Sequence, residues 1–259
     1  MRKKVALVLG GGASLGYAHI GVLKVLKQHN IPVDIVVGTS IGALVGGAYC
    51  AGIDLEEMEN YSHKFRLIDF FDVNFNRRGL FSGKGIMKKL SKYIPDVNIE
   101  SLPKTFACVA TDLMSEKQEV LRTGNLRDAV RASLSIPGIF VPCMHDDMVL
   151  VDGGIVNNLP EDVAMELGAE VIISCDVLTK CCMTESPKNL IETFLYSTNL
   201  AVKQVQNFKS YHSDILLQPN TTGCKPTDFT LQTSKKLIYE GEVECEKYID
   251  QIMKLINEE

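Results

Sequence analysis

The sequence predicts an α/β protein, a three-layer sandwich in which a largely parallel central sheet carries helices on both faces. Two observations lead there. Short apolar runs alternate with longer segments of helical periodicity along the whole chain, and glycines cluster where the runs give way to the helices. A third observation bounds the size: 259 residues with 46% hydrophobic content build one substantial core, so residues 1–259 are expected to form a single domain.

The first strand is expected near 4–10, where Lys4-Val5-Ala6-Leu7-Val8-Leu9 runs straight into Gly10-Gly11-Gly12-Ala13-Ser14-Leu15-Gly16. A helix near 16–29 follows, with Ile20, Val22, Leu23, Val25 and Leu26 at near-helical spacing. The second strand, near 33–38, ends in Gly38-Thr39-Ser40-Ile41-Gly42, and the small apolar residues from Ala43 to Gly52 read as a buried helix near 41–51. Further strands are expected near 105–111, 118–122, 148–152, 170–175 and 214–218. The remaining helices fall near 54–65, 84–93, 125–134, 160–167, 188–209 and 233–257. The helix between Pro187 and Lys209 carries Leu190, Ile191, Phe194, Leu195, Leu200, Val202 and Val205 and reads as an amphipathic helix facing the core. The C-terminal helix either packs on the domain or supplies a dimer face, and the oligomeric state stays open.

Three segments point to chemistry. A serine between two glycines after an apolar strand is how a strand-to-helix elbow presents a nucleophile, because neighbours two residues away must lack side chains that collide with strand or helix. Gly38 and Gly42 meet that requirement around Ser40, and the positive end of the following helix dipole favours a negative intermediate there. The competing reading is an ordinary βα turn with Ser40 as helix N-cap. The glycine loop from Gly10 to Gly16 exposes backbone N–H groups to one point in space, as an oxyanion requires. Gly10, Gly12 and Gly16 also fit a loose dinucleotide fingerprint, but the second strand has its only acid, Asp34, at its beginning. The third segment, Val149-Leu150-Val151-Asp152-Gly153-Gly154, ends a strand on a carboxylate suited to act as general base, or else makes a plain turn.

Together these segments resemble the patatin-like phospholipase family, the patatin-like serine hydrolases, in their small bacterial form. Leu9 to Leu23 is similar to the family's oxyanion segment and first helix, Gly38 to Gly42 to its nucleophile elbow, and Asp152-Gly153-Gly154-Ile155-Val156-Asn157-Asn158-Leu159-Pro160 to its aspartate motif. Linking blocks at Arg78 to Gly83, Ala110-Thr111-Asp112-Leu113 and Arg131 to Pro142 follow in the family's order, so the likeness covers roughly residues 4 to 219. The resemblance implies a Ser-Asp dyad without a catalytic histidine, hydrolysing an acyl ester through an acyl-enzyme. Ser40 is then the nucleophile, Asp152 its base, and the N–H groups of Gly11, Gly12 and Ala13 the oxyanion donors, with Gly38, Gly42 and Gly153 as the motif glycines. One departure stands out: many members carry Arg or Lys where this chain has Leu15, which weakens the case for a phospholipid in particular.

A Ser-His-acid triad is the rival mechanism, with His145 and His212 as its candidates, while His19 is placed to pack behind the glycine loop. The stretch from Phe65 to Asn76, followed by Arg77-Arg78, either caps the core or forms an apolar flap over the serine that meets acyl chains or a membrane surface. Eight cysteines without a C-x-x-C pair read as free thiols of a reducing cytosol, and no cofactor or metal is expected. No stretch reaches the about 20 apolar residues of a membrane span, so a cytoplasmic protein with at most peripheral membrane contact is expected. A net charge of −5 without a basic stripe argues against nucleic acid. The favoured function is a serine esterase of the lipid acyl hydrolase type, phospholipase A or lysophospholipase-like. The alternative is a non-catalytic or regulatory lipid-binding protein on the same fold.

Overall fold

The computed structural model describes residues 2–64, 79–182, 185–207 and 211–257. The expected flap, Phe65 to Asn76 with Arg77-Arg78, lies outside the described residues.

Eight strands form one sheet: β1 (Val5–Leu9), β2 (Ile35–Thr39), β3 (Thr105–Asp112), β4 (Lys117–Leu121), β5 (Cys143–His145), β6 (Met148–Asp152), β7 (Val171–Cys175) and β8 (Ile215–Leu217). The path across it is β5-β6-β3-β2-β1-β7-β8, with β4 paired to β3. Pairings among β1, β2, β3, β7 and β8 are parallel, as expected of strands linked by helices. The strands β4, β5 and β6 join by antiparallel pairing, and β5 is a short hairpin partner that the sequence pattern does not announce.

Alternation along the strands builds a core on each face. Val5, Leu7 and Leu9 of β1 face the larger cluster, which α1 (Tyr17–Gln28), α2 (Ile41–Cys50), α5 (Leu126–Ser133) and α8 (Leu231–Glu246) cover. Ala6 and Val8 face a smaller cluster closed by Leu159 and by Val163 and Ala164 of α6 (Glu161–Glu166). Among the described residues the remaining α-helices are α3 (Leu55–Lys64), α4 (Lys84–Tyr93), α7 (Leu190–Asn207) and α9 (Ile249–Asn257). Backbones of α1 and α8 touch, because an added Cβ at Gly21 would lie 2.0 Å from the Ile238 carbonyl oxygen and one at Gly241 2.0 Å from that of Ala18.

Two helices differ from expectation. The single C-terminal helix near 233–257 is two helices, broken at Lys247 and Tyr248, where the Tyr248 N–H donates to the Cys245 carbonyl across only three residues. That tighter turn re-aims α9 so that Ile249, Ile252 and Ile256 are buried. In α7 the apolar stripe is not wholly core-facing: Leu195 and Val202 are buried, whereas Leu190, Leu200 and Val205 are exposed. Ile191, Phe194, Leu195 and Val202 pack in or against the larger core cluster, and the helix also lies along the cavities described below.

Candidate active site

The register of β3 brings the distant serine and aspartate together. Cys108 and Val109 pair with both β2 and β4, while residues Ala110 to Asp112 pair with both β4 and β6. Strand β4 therefore holds one edge of β3, and β2 and β6 share the other, end to end. Thr39 is opposite Val109 and Asp152 opposite Ala110, so β2 running one way and β6 the other stop beside each other. The next residue after Thr39 is Ser40.

At that junction the chain makes a sharp elbow. Ser40 has φ +55° and ψ −120°, a conformation rarely adopted by a residue with a side chain. The turn closes because Gly38 and Gly42 are bare: an added Cβ on Gly42 would fall 2.0 Å from the Leu9 carbonyl oxygen, and one on Gly38 2.5 Å from the Gly42 carbonyl carbon. The Ser40 side chain does not cap α2; its hydroxyl donates to Asp152 Oδ2 at 2.6 Å. Both residues are nearly enclosed, at 5% and 8% exposure.

Asp152 also accepts the Gly154 N–H on Oδ1 at 2.9 Å. Burial raises its pKa to about 6, with the hydrogen bonds from Ser40 and Gly154 pulling the other way. A carboxylate that holds its proton this loosely at neutral pH, bonded to a hydroxyl, is matched to taking a proton from it. Backbone bonds fix its place: the Asp152 N–H donates to the Ser135 carbonyl at 2.9 Å, and Thr111 Oγ1 donates to the Asp152 carbonyl at 3.0 Å.

Ser133 is a positioning residue that sequence reasoning missed. Its hydroxyl accepts the Ser40 N–H at 2.8 Å and donates to the Val109 carbonyl at 2.7 Å, tying the elbow to β3. Only its place in the block from Arg131 to Pro142 hinted at a role. Thr39 Oγ1 adds a bond to the Asn157 carbonyl at 3.0 Å, joining the elbow to the aspartate motif. Gly153, within that motif, passes so close to β3 that a Cβ would lie 2.2 Å from the Val109 carbonyl oxygen.

The glycine loop lies beside the serine, with a left-handed residue of its own at Ala13, φ +52°. The Gly11 N–H is already engaged, donating to the Asn158 carbonyl at 3.3 Å, while those of Gly12 and Ala13 meet no acceptor among the described residues. Of the three expected donors, Gly12 and Ala13 thus keep an N–H unused within the described residues. Leu15, where a family cation is absent, is fully buried in the core. Behind the loop His19 Nε2 stands 2.8 Å from the Gly10 carbonyl oxygen; burial lowers its pKa to about 4, so the neutral ring donates that bond. His145 and His212 are exposed, and among the described residues no histidine hydrogen-bonds Ser40. Asp34, the acid that a dinucleotide site would need near the glycines, is bound by Arg2 at 2.6 Å at the opposite end of β2.

Ser40 and Ala13 sit where two cavities meet. One is walled by Ile41, Leu44, Ile86, Leu134, Phe140 and Phe229 and is apolar apart from the serine. The other contains Asp152, Asn158, Thr198 and Asn199.

The sequence profile of patatin-like phospholipases matches residues 7–165. The chain belongs to that family. It is 38% identical over 183 residues to the patatin-like phospholipase domain-containing protein ZK370.4 of Caenorhabditis elegans, and 37% identical over 181 residues to the neuropathy target esterase sws of Drosophila melanogaster. Each match covers 67% of this chain but only 13% of the relative, so the chain spans about one eighth of the length of these relatives. Among solved structures VipD from Legionella pneumophila shares the fold with a TM-score of 0.62 at 15% identity, covering 96% of this chain and 67% of that one. The type III effector ExoU aligns with a TM-score of 0.51 at 12% identity, over 99% of this chain and 54% of that one. The matched patatin segment contains Ser40, the glycine loop and Asp152.

Proposed function

We propose that this patatin-like chain is a serine acyl-ester hydrolase acting on lipid esters, in the manner of a phospholipase A or lysophospholipase. The observation that carries the reading is the 2.6 Å bond from Ser40 Oγ to Asp152 Oδ2 at the junction of an apolar cavity and a polar one. Ser40 Oγ attacks the ester carbonyl as Asp152 takes its proton, and the carbonyl oxygen becomes an anion facing the free N–H groups of Gly12 and Ala13. Collapse of this intermediate expels the alcohol, which takes the proton from Asp152 and leaves an acyl group on Ser40. Water, deprotonated by the same carboxylate, then releases the acid and restores the serine.

The contrast between the two cavity walls supports a division of the substrate between them. The acyl chain occupies the apolar side, whose lining continues past Leu44 and Phe229 toward Met58 and Tyr61. The alcohol leaves through the polar side. No metal or cofactor enters this scheme. Among the described residues no helix is long and apolar enough to cross a membrane, and the proposal places the protein in the cytoplasm with peripheral contact to lipid surfaces. The non-catalytic, lipid-binding alternative is separated by one test. Intact-protein mass after fluorophosphonate treatment is expected to show a single adduct on the wild type, lost in Ser40→Ala and Asp152→Asn; no adduct on the wild type favours the alternative.

A further inference from the structure

A further cavity lies against α7 and is not used by the scheme above. It has a volume of about 440 Å³, and its walls include Leu178, Cys181, Tyr196, Asn199 and Lys203. That size is enough for a phosphorylated glycerol-sized group. Asn199 is common to this cavity and to the polar one that holds Ser40 and Asp152, so the two adjoin across a single side chain.

Two polar side chains on these walls keep hydrogen-bond donors unused among the described residues. Lys203 Nζ donates to the Cys181 carbonyl at 2.9 Å, and no carboxylate lies within ion-pair distance of it among the described residues. Nearby carboxylates are engaged elsewhere: Glu185 pairs with Lys225 at 2.6 Å and with Lys188 at 3.5 Å, and Glu192 accepts the Lys188 N–H at 2.8 Å. Asn199 Nδ2 is buried and has no acceptor. Its amide torsion is soft, so rotation turns the donor toward an oxygen in either cavity. A half-buried cation held only by a neutral carbonyl, next to an unused amide donor, is suited to an anionic oxygen group.

We propose that this cavity is the subsite for a phosphoryl group on the alcohol portion of the ester, with Lys203 neutralising the phosphoryl oxygens and Asn199 holding the link between that group and the ester. It rests on the reading of Ser40 as the nucleophile. Lys203 is thus a specificity-determining residue and takes no part in bond breaking.

The test compares wild type, Lys203→Met and Lys203→Arg on two esters with the same acyl chain, a monoacylglycerol and a lysophosphatidic acid. The ratio of kcat/KM for the phosphorylated ester to that for the neutral one is expected to fall about tenfold in Lys203→Met and to return with Lys203→Arg. A ratio within twofold of wild type in Lys203→Met overturns the subsite while leaving the hydrolase reading intact, since turnover of both esters is then still measured. If the wild type turns over neither ester, the hydrolase reading is judged by the fluorophosphonate adduct on Ser40, and the subsite is read by calorimetric titration of Ser40→Ala with lysophosphatidic acid. There Lys203→Met is expected to raise Kd about tenfold, and an unchanged Kd overturns it. Inorganic phosphate separates the two sources of the anion. Competitive inhibition by it, lost in Lys203→Met, assigns the subsite to phosphate itself, whereas a changed ester ratio without such inhibition assigns it to the lipid-borne group.

Discussion

Two aspartates stand on neighbouring antiparallel strands, Asp112 ending β3 and Asp152 ending β6, and their surroundings drive them apart. Both residues are almost wholly buried. Asp112 accepts backbone N–H groups from Met114, Ser115 and Val149 at 3.0–3.1 Å, and the Ser115 side chain leads the bonds that hold its pKa down at about 2. Asp152 accepts one backbone N–H and one hydroxyl, too few to offset burial, and stands at about 6. The same side chain at two strand ends is thus an ionised brace in one place and, in the proposed reaction, the proton acceptor in the other. Burial dominates at Asp152, whereas hydrogen-bond donors dominate at Asp112.

That contrast is open to direct attack. The largest effect expected is on turnover: Asp152→Asn and Ser40→Ala each lower kcat for an acyl ester by about 10⁴-fold, while Asp112→Asn leaves it within a few fold. Equal losses at both aspartates would erase the distinction. In wild type, kcat/KM is expected to rise with pH and reach half its plateau near the Asp152 pKa of about 6.

Stability carries the same contrast with opposite signs. The pKa of Asp152 is raised on folding, so its stabilising contribution is complete below about pH 4 and is lost as pH rises through about 6. Asp152→Asn escapes that loss and is expected to gain roughly 3 kcal/mol on wild type between about pH 4 and neutral pH, read by thermal unfolding at both values. The pKa of Asp112 is depressed, so its contribution is present at neutral pH and lost as pH falls from about 4 through about 2. Wild type and Asp112→Asn should therefore differ in melting temperature at neutral pH and converge in acid.

A smaller effect tests how the elbow is aimed at the reactive aspartate. Ser133→Ala removes the acceptor of the buried Ser40 N–H, which costs about 1–3 kcal/mol for an unsatisfied group. Turnover should drop about tenfold with little change in KM, and Ser133→Thr, which keeps the hydroxyl, should recover most of it.

Much of the site was legible in the chain. Gly38, Ser40 and Gly42 could be recognised together because the elbow's requirements are local: bare backbone two residues on either side of the serine, a strand before it and a helix after. The glycine loop and the Asp152 motif declared themselves in the same way. Ser133 was not singled out, because a buried serine in a helix looks like any small residue until the strand it bonds is known. The stripe of α7 marks its core-facing side, with Leu195 and Val202 in the larger core cluster, but not the cavities that run along it. An apolar stripe reports that a face is sheltered, without saying whether core or cavity shelters it, and here Leu195 and Val202 also line the polar cavity beside Ser40.

By itself the sequence determined the α/β class, most of the strands and helices, and the residues with reactive potential, since these follow from periodicity and from the steric needs of a few residues in a row. The tertiary structure alone decided that β2 and β6 meet end to end along one edge of β3, setting Ser40 against Asp152 across 112 positions of chain. It also decided the break at Lys247, where the buried stripe runs on from Cys245 through Ile249 and Ile252 without interruption. The physical reason is common to both. Local patterning encodes which side of an element is buried, but the partner that buries it is chosen by long-range strand register and helix packing, for which no single stretch of residues carries the signal.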